Sequence, residues 1–179
     1  MTTRKIVLTF GLIAGAILAT MIALMVPLSK NNTTDFAQGE VIGYTTMVLA
    51  FLMVVLGIRS YRENVGAGVI SFGRAFKVGI LITLVASAAY VIAWEVVYFN
   101  FMPDFLDKYD VHNLEKLRSS GATEAAIAAK SQEMAEFKKL YANPLFNAAM
   151  TLLEVFPVGL VVTLISAAVL RRKVARQPA

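Results

Sequence analysis

The sequence predicts an all-α fold: a four-helix transmembrane bundle with an extramembrane helical hairpin between helices three and four. Three observations predict it. Four stretches are apolar over the width of a bilayer. Basic residues cluster in the segments that share one side after an even number of crossings. The segment 103–143 is polar and carries apolar residues at helical spacing. Residues 1–179 read as one integral membrane domain.

Composition agrees. Apolar types make up 58% of the 179 residues and charged types 16%, against about 25% charged in a soluble domain. The surplus apolar surface needs lipid or a partner to cover it. There is no cysteine, and His112 is the single histidine, so thiolate and histidine-rich metal centres are excluded. The net charge of +5 sits beside hydrophobic spans and not along a soluble face, which argues against nucleic acid as a partner.

Span one, 6–28, is uncharged and preceded by Arg4 and Lys5. As a helix it is about 34 Å long, against a hydrocarbon core of roughly 30 Å. A cleaved signal peptide is the rival reading, but its apolar core is usually only about 7–15 residues. Span two, 41–58, lies between Glu40 and Arg59. Span three, 78–102, follows Lys77 and is interrupted by Glu95. In the segment that follows, 104–118 reads as one helix, and Ile127, Met134, Phe137 and Tyr141 recur at helical spacing in a second. Ser119, Ser120 and Gly121 form the turn between them, and Thr123 caps the second. Span four, 144–170, opens on Pro144, which suits a first helical turn, and contains Glu154 and Pro157.

Charge orients the bundle. The N-terminus, the 59–77 loop and the tail carry Arg4, Lys5, Arg59, Arg62, Arg74, Lys77, Arg171, Arg172, Lys173 and Arg176 against the lone acid Glu63. The opposite side carries Lys30, Asp35 and Glu40 and a charge-balanced long loop. Lysine and arginine are retained in the cytoplasm during insertion, so both termini are expected there. The expected partners are the bilayer and, for Arg59, Arg62, Arg74, Lys77, Arg171, Arg172 and Lys173, anionic headgroups worth about 1 kcal/mol each. Gly66, Gly68 and Gly73 in that loop do not form a phosphate cradle, because no Gly-Lys-Ser/Thr follows.

The candidate ion or proton site is made of carboxylates. Counted from the flanking bases, Glu95 and Glu154 reach one height, roughly 26 Å from the inner basic line, and Glu40 lies near it. Glu95 continues a ladder of Gly79, Thr83, Ser87 and Val91, and Glu154 shares a face with Asn147 and Thr151. Close carboxylates in low dielectric favour a shared proton or a cation. The plainer reading is wetted interfacial glutamates, since that height is near the outer face of the core. Pro157 leaves the carbonyl of Leu153 without a donor and predicts a kink, more often a packing feature than a ligand. Gly11, Gly15, Ala19 and Ala23 form a small-residue stripe for close helix contact. An internal partner helix leads over one in a homo-oligomer. His112 reads as a surface or packing residue.

The runs Gly57-Ile58-Arg59-Ser60-Tyr61-Arg62-Glu63 and Ser71-Phe72-Gly73-Arg74-Ala75-Phe76-Lys77-Val78-Gly79 resemble the signature of a membrane protein family. Pro103-Asp104-Phe105 with Lys108-Tyr109, Ser120-Gly121-Ala122, Asn143-Pro144-Leu145 and Glu154-Val155-Phe156-Pro157-Val158-Gly159-Leu160 extend the match over nearly the whole chain. The family is the bacterial domain of unknown function 4199. The resemblance implies four helices in a bacterial inner membrane, with no activity, catalytic residue or cofactor to carry over. Ala126 stands where a capping-box acid would follow Thr123.

No nucleophile–base pair, metal cluster or phosphate cradle is legible, so no enzyme and no cofactor are expected. The leading expectation is a structural or accessory membrane protein that binds a partner through its outer hairpin. The alternative is a small oligomeric ion- or proton-handling transporter that uses Glu95 and Glu154.

Overall fold

A computed structural model of the chain describes residues 2–30 and 36–172. Asp35, Lys173 and Arg176 of the charge pattern lie outside them. The described residues form six helices: α1 Thr3–Lys30, α2 Phe36–Asn64, α3 Phe72–Phe101, α4 Phe105–Ser119, α5 Glu124–Tyr141 and α6 Pro144–Leu170. Four of these, α1, α2, α3 and α6, are long and apolar enough to cross a membrane. They form a four-helix transmembrane bundle, and α4 and α5 form the hairpin between its third and fourth helices.

The helices outrun the uncharged stretches. α2 spans Phe36–Asn64, because Glu40, Arg59 and Arg62 are good helix formers whose charged ends reach the headgroup zone. Caps set the starts. The Ser71 hydroxyl accepts from Arg74 N at α3, and Thr123 accepts from Ala126 N at α5. Asn143 Oδ1 accepts from Leu145 N at 2.9 Å and Phe146 N at 3.4 Å at α6. Gly121, at φ +81°, lets the chain leave α4 in a left-handed conformation.

The bundle is a ring in which α1 and α6 each pack on both α2 and α3. α2 and α3 also touch across the centre. Its apolar interior includes Leu18, Met47, Phe51, Ile58, Ile82 and Val155, all essentially without exposure. Leu12, Ile92, Leu153 and Val169 point outward, as a lipid-facing surface requires.

Two seams hold α3. Against the parallel α1, Gly11 and Gly15 admit close approach: a Cβ on Gly11 would lie 2.7 Å from Val85 Cβ, and one on Gly15 2.6 Å from Ala89 Cβ. The stripe fades beyond them, with Ala19 half-buried and Ala23 exposed. Against the antiparallel α6, glycine and threonine alternate reciprocally. A Cβ on Gly79 would meet Thr163 Cγ2 at 2.7 Å, and one on Gly159 would meet Thr83 Cγ2 at 2.4 Å. The two threonine hydroxyls are hydrogen-bonded at 3.0 Å, and Thr83 Oγ1 donates to the Gly159 carbonyl at 3.3 Å. Every fully buried polar side chain among the described residues lies on α3 or α6.

The α3–α6 register is continuous. Ile70 and Arg172 exchange backbone hydrogen bonds of 3.0 and 2.9 Å below the bundle. Gly79 meets Thr163 and Thr83 meets Gly159 above them. Each step forward along one chain is matched by an equal step back along the other.

Candidate functional site: a cavity under the hairpin

The hairpin is laid on the end of the bundle by aromatic rings. α3 ends at Phe101, and Pro103 turns the chain so that Phe105 meets Trp94 edge-on, centroids 5.2 Å apart. Tyr141, the last residue of α5, packs against Tyr98 at 5.3 Å, and its phenol oxygen accepts the Trp94 indole N–H at 3.0 Å. Burial pushes the Tyr141 phenol above its usual pKa, and its side-chain hydrogen bonding with Thr151 and Trp94 partly offsets this. The two hairpin helices are tied by an ion pair between Lys138 and Asp107. A surface pair, Asp104–Lys108 at 2.9 Å, lies in the first turn of α4. Its hydrogen bond from Lys108 lowers the Asp104 carboxyl below the ordinary value.

Beneath this roof lies a cavity of about 320 Å³ to which all six helices contribute. Met21 and Met25 of α1 and Met47 of α2 give apolar wall. Tyr44, Tyr90, Trp94 and Tyr141 give aromatic wall. Tyr109, His112 and Lys116 of α4 form the roof. Glu40 of α2 and Glu154 of α6 also line it. Size and mixed lining fit a small-molecule site.

The three carboxylates do not share one height. On the α3–α6 register Glu154 stands level with Ala88, and Glu95 level with Asn147. That places Glu95 about 10 Å nearer the hairpin end at 1.5 Å per residue. Glu40 and Glu154 sit on parallel neighbours whose Phe51 and Gly159 meet equally far from the helix starts. Glu154 is therefore six residues deeper than Glu40, about 9 Å. Counting from the flanking bases misleads because Lys77 is not at the start of its helix. α3 begins at Phe72, whereas Arg171 directly follows the end of α6.

The cavity brings together Glu40 and Glu154, while Glu95 is not among its lining residues. Glu95 is half-buried, and its Oε1 is buried with no hydrogen-bond partner among the described residues. Among those residues no group of three His, Asp or Glu side chains gathers closely enough to hold a metal ion. α6 continues as a helix past Pro157, which lies on its exposed face.

At the opposite end the basic residues divide. Arg59, Arg74, Lys77, Arg171 and Arg172 are exposed, and Arg59 holds Glu63 at 2.9 Å. Arg62 is part-buried and donates to the Leu170 carbonyl at 3.4 Å, closing the end of α6. That structural role was not legible in the charge pattern. Nor was the aromatic lining of the cavity, because the residues concerned are distant in sequence.

A family model described as a protein of unknown function (DUF4199) matches residues 9–172. No curated protein and no solved structure matches the chain. The chain belongs to the DUF4199 family.

Proposed function

We propose that this DUF4199 membrane protein takes up a small solute in the cavity under its hairpin, on the face of a bacterial inner membrane away from the cytoplasm. One observation carries the reading. A cavity of about 320 Å³ is built jointly by the four spanning helices and the hairpin, with Glu154 at its deep end. An ionisable side chain well inside a span is costly to keep there and marks a pathway or ligand more often than a packing role. The exposed Arg59, Arg74, Lys77, Arg171 and Arg172 at the other end support cytoplasmic termini and contact with anionic headgroups.

Gly43 provides the test. It lines the cavity, and a Cβ there would meet nothing within 4 Å, so Gly43→Phe fills the space without a backbone clash. Purified protein is screened by thermal unfolding against small solutes of each charge class. The wild type is expected to be stabilised by at least one class and Gly43→Phe by none. Equal responses from both proteins would overturn the reading. Orientation is tested separately with a single cysteine at Gln132, which the cysteine-free chain permits without background. An impermeant maleimide should label it from outside intact spheroplasts, and labelling only after lysis would reverse the topology.

A second reading has its own observation. An open hollow of about 600 Å³ lies between α4 and α5, lined by Asn113, Leu117, Lys130, Glu133, Met134 and Phe137. It suits a protein partner docking on the hairpin. A partner recovered in mild detergent with the wild type and lost with Leu117→Asp would support it. Recovery unchanged by that substitution would remove it.

A further inference from the structure

We infer that the solute is an organic monocation, an amine or quaternary ammonium with an apolar body, whose charged end sits at the Glu154 end of the cavity. The inference rests on the cavity reading above and adds the chemical class.

Charge comes first. The lining holds two carboxylic side chains, Glu40 and Glu154, and two basic ones, His112 and Lys116. Position then separates them. His112 and Lys116 belong to the roof, and Glu40 lies in the second turn of α2, at the same end. Glu154 lies about 9 Å deeper. The roof thus carries both signs, and the deep end carries a carboxylate alone.

The rest of the lining fits the same ligand. Tyr44, Tyr90, Trp94 and Tyr141 give the cavity aromatic wall. Aromatic walls attract ammonium groups through the ring quadrupole, most strongly where water is excluded. The Trp94 indole is held by its hydrogen bond to Tyr141, so one wall is oriented before any ligand arrives. Met25 and Met47 supply adaptable apolar surface for the organic part. A bare metal ion is disfavoured, because among the described residues no group of three His, Asp or Glu side chains gathers to hold one.

The experiment compares tetramethylammonium chloride, its neutral carbon isostere 3,3-dimethylbutan-1-ol, the zwitterion glycine betaine and sodium chloride at matched ionic strength. Binding to the full-length protein in detergent is read by thermal shift and by calorimetry. Tetramethylammonium is expected to bind at least tenfold more tightly than the isostere. Glu154→Gln should weaken it tenfold or more. Tyr44→Leu should weaken it several-fold while Tyr44→Phe does not, since the ring and not the hydroxyl is used. Lys116→Gln should leave binding unchanged or strengthen it.

Each alternative result is decisive. Equal binding of the cation and the isostere, both blocked by Gly43→Phe, would overturn the cation inference and keep the cavity reading. Preference for betaine, lost in Lys116→Gln, would replace a cation with a zwitterion. Retained binding in a folded Glu154→Gln protein would also overturn the inference. No response from any solute, in wild type and Gly43→Phe alike, would remove both readings.

Discussion

The two halves of the bundle are built on opposite packing rules. In the half near the basic termini, side chains shrink so that backbones can meet: Gly79 and Gly159 each receive a threonine from the facing helix, and the hydroxyls satisfy one another. In the half near the hairpin, side chains grow. Tyr90, Trp94, Tyr98 and Tyr141 replace glycine and threonine, and a cavity with two carboxylates on its lining opens between the helices. In lipid, helices gain little from burying apolar groups and rely on contact and interhelical hydrogen bonds. Small residues therefore seal a bundle, and bulky ones hold it open. One helix, α3, does both in succession.

The largest expected effect breaks the sealed half. Gly159→Leu puts atoms where Thr83 and Phe51 already stand, with even a Cβ 2.4 Å from Thr83 Cγ2. It should cost about 3 kcal/mol or more, at the upper end for overpacking, read as loss of folded protein in a detergent unfolding titration. Gly43→Phe, a larger insertion in the open half, should cost less than about 1 kcal/mol, because it fills existing space. Equal losses from the two would erase the contrast.

A smaller effect tests how the roof is fastened. Trp94→Phe keeps the ring against Phe105 but removes the donor to Tyr141. It should cost about 1–2 kcal/mol and speed amide exchange in α4 and α5 while leaving the α1–α3 seam protected. Uniform exchange changes across all helices would show that the hairpin is not a separate layer.

Thr83→Val retains shape and deletes the interhelical hydroxyl contact. The expected loss is about 0.6 kcal/mol, the average for such bonds in membranes. A loss as large as that of Gly159→Leu would mean that hydrogen bonding and not close approach seals this half.

The smallest effect is pH-dependent and belongs to the hairpin. The folded-state pKa of Asp104 is lowered by Lys108. Its contribution to stability is therefore complete above the unfolded value near 3.9 and is lost as pH falls through the folded value. The pair is exposed, so the contribution is a few tenths of a kcal/mol. Asp104→Asn should flatten the acid limb of hairpin stability by that amount and leave neutral pH almost unchanged.

Much of this architecture was legible residue by residue. The lengths of the four apolar runs require spans, since any backbone in lipid must satisfy its own hydrogen bonds. Asn143-Pro144, Thr123 and Gly121 mark helix boundaries because capping and positive φ are local chemistry. The glycines at 11 and 15 announce a close contact, though not that its partner is α3.

Depth was not legible. A base can mark the membrane face from beyond a helix, as Arg171 does, or from more than a turn inside one, as Lys77 does, and composition does not distinguish the two. Only the packed register of α3 against α6 separates Glu154 from Glu95 by about 10 Å and places Glu154 with Glu40 on one cavity. Local chain chemistry decides where helices start and stop. Which side chains meet depends on how the helices slide past one another, and that is settled by the fit of glycine to threonine across the seam.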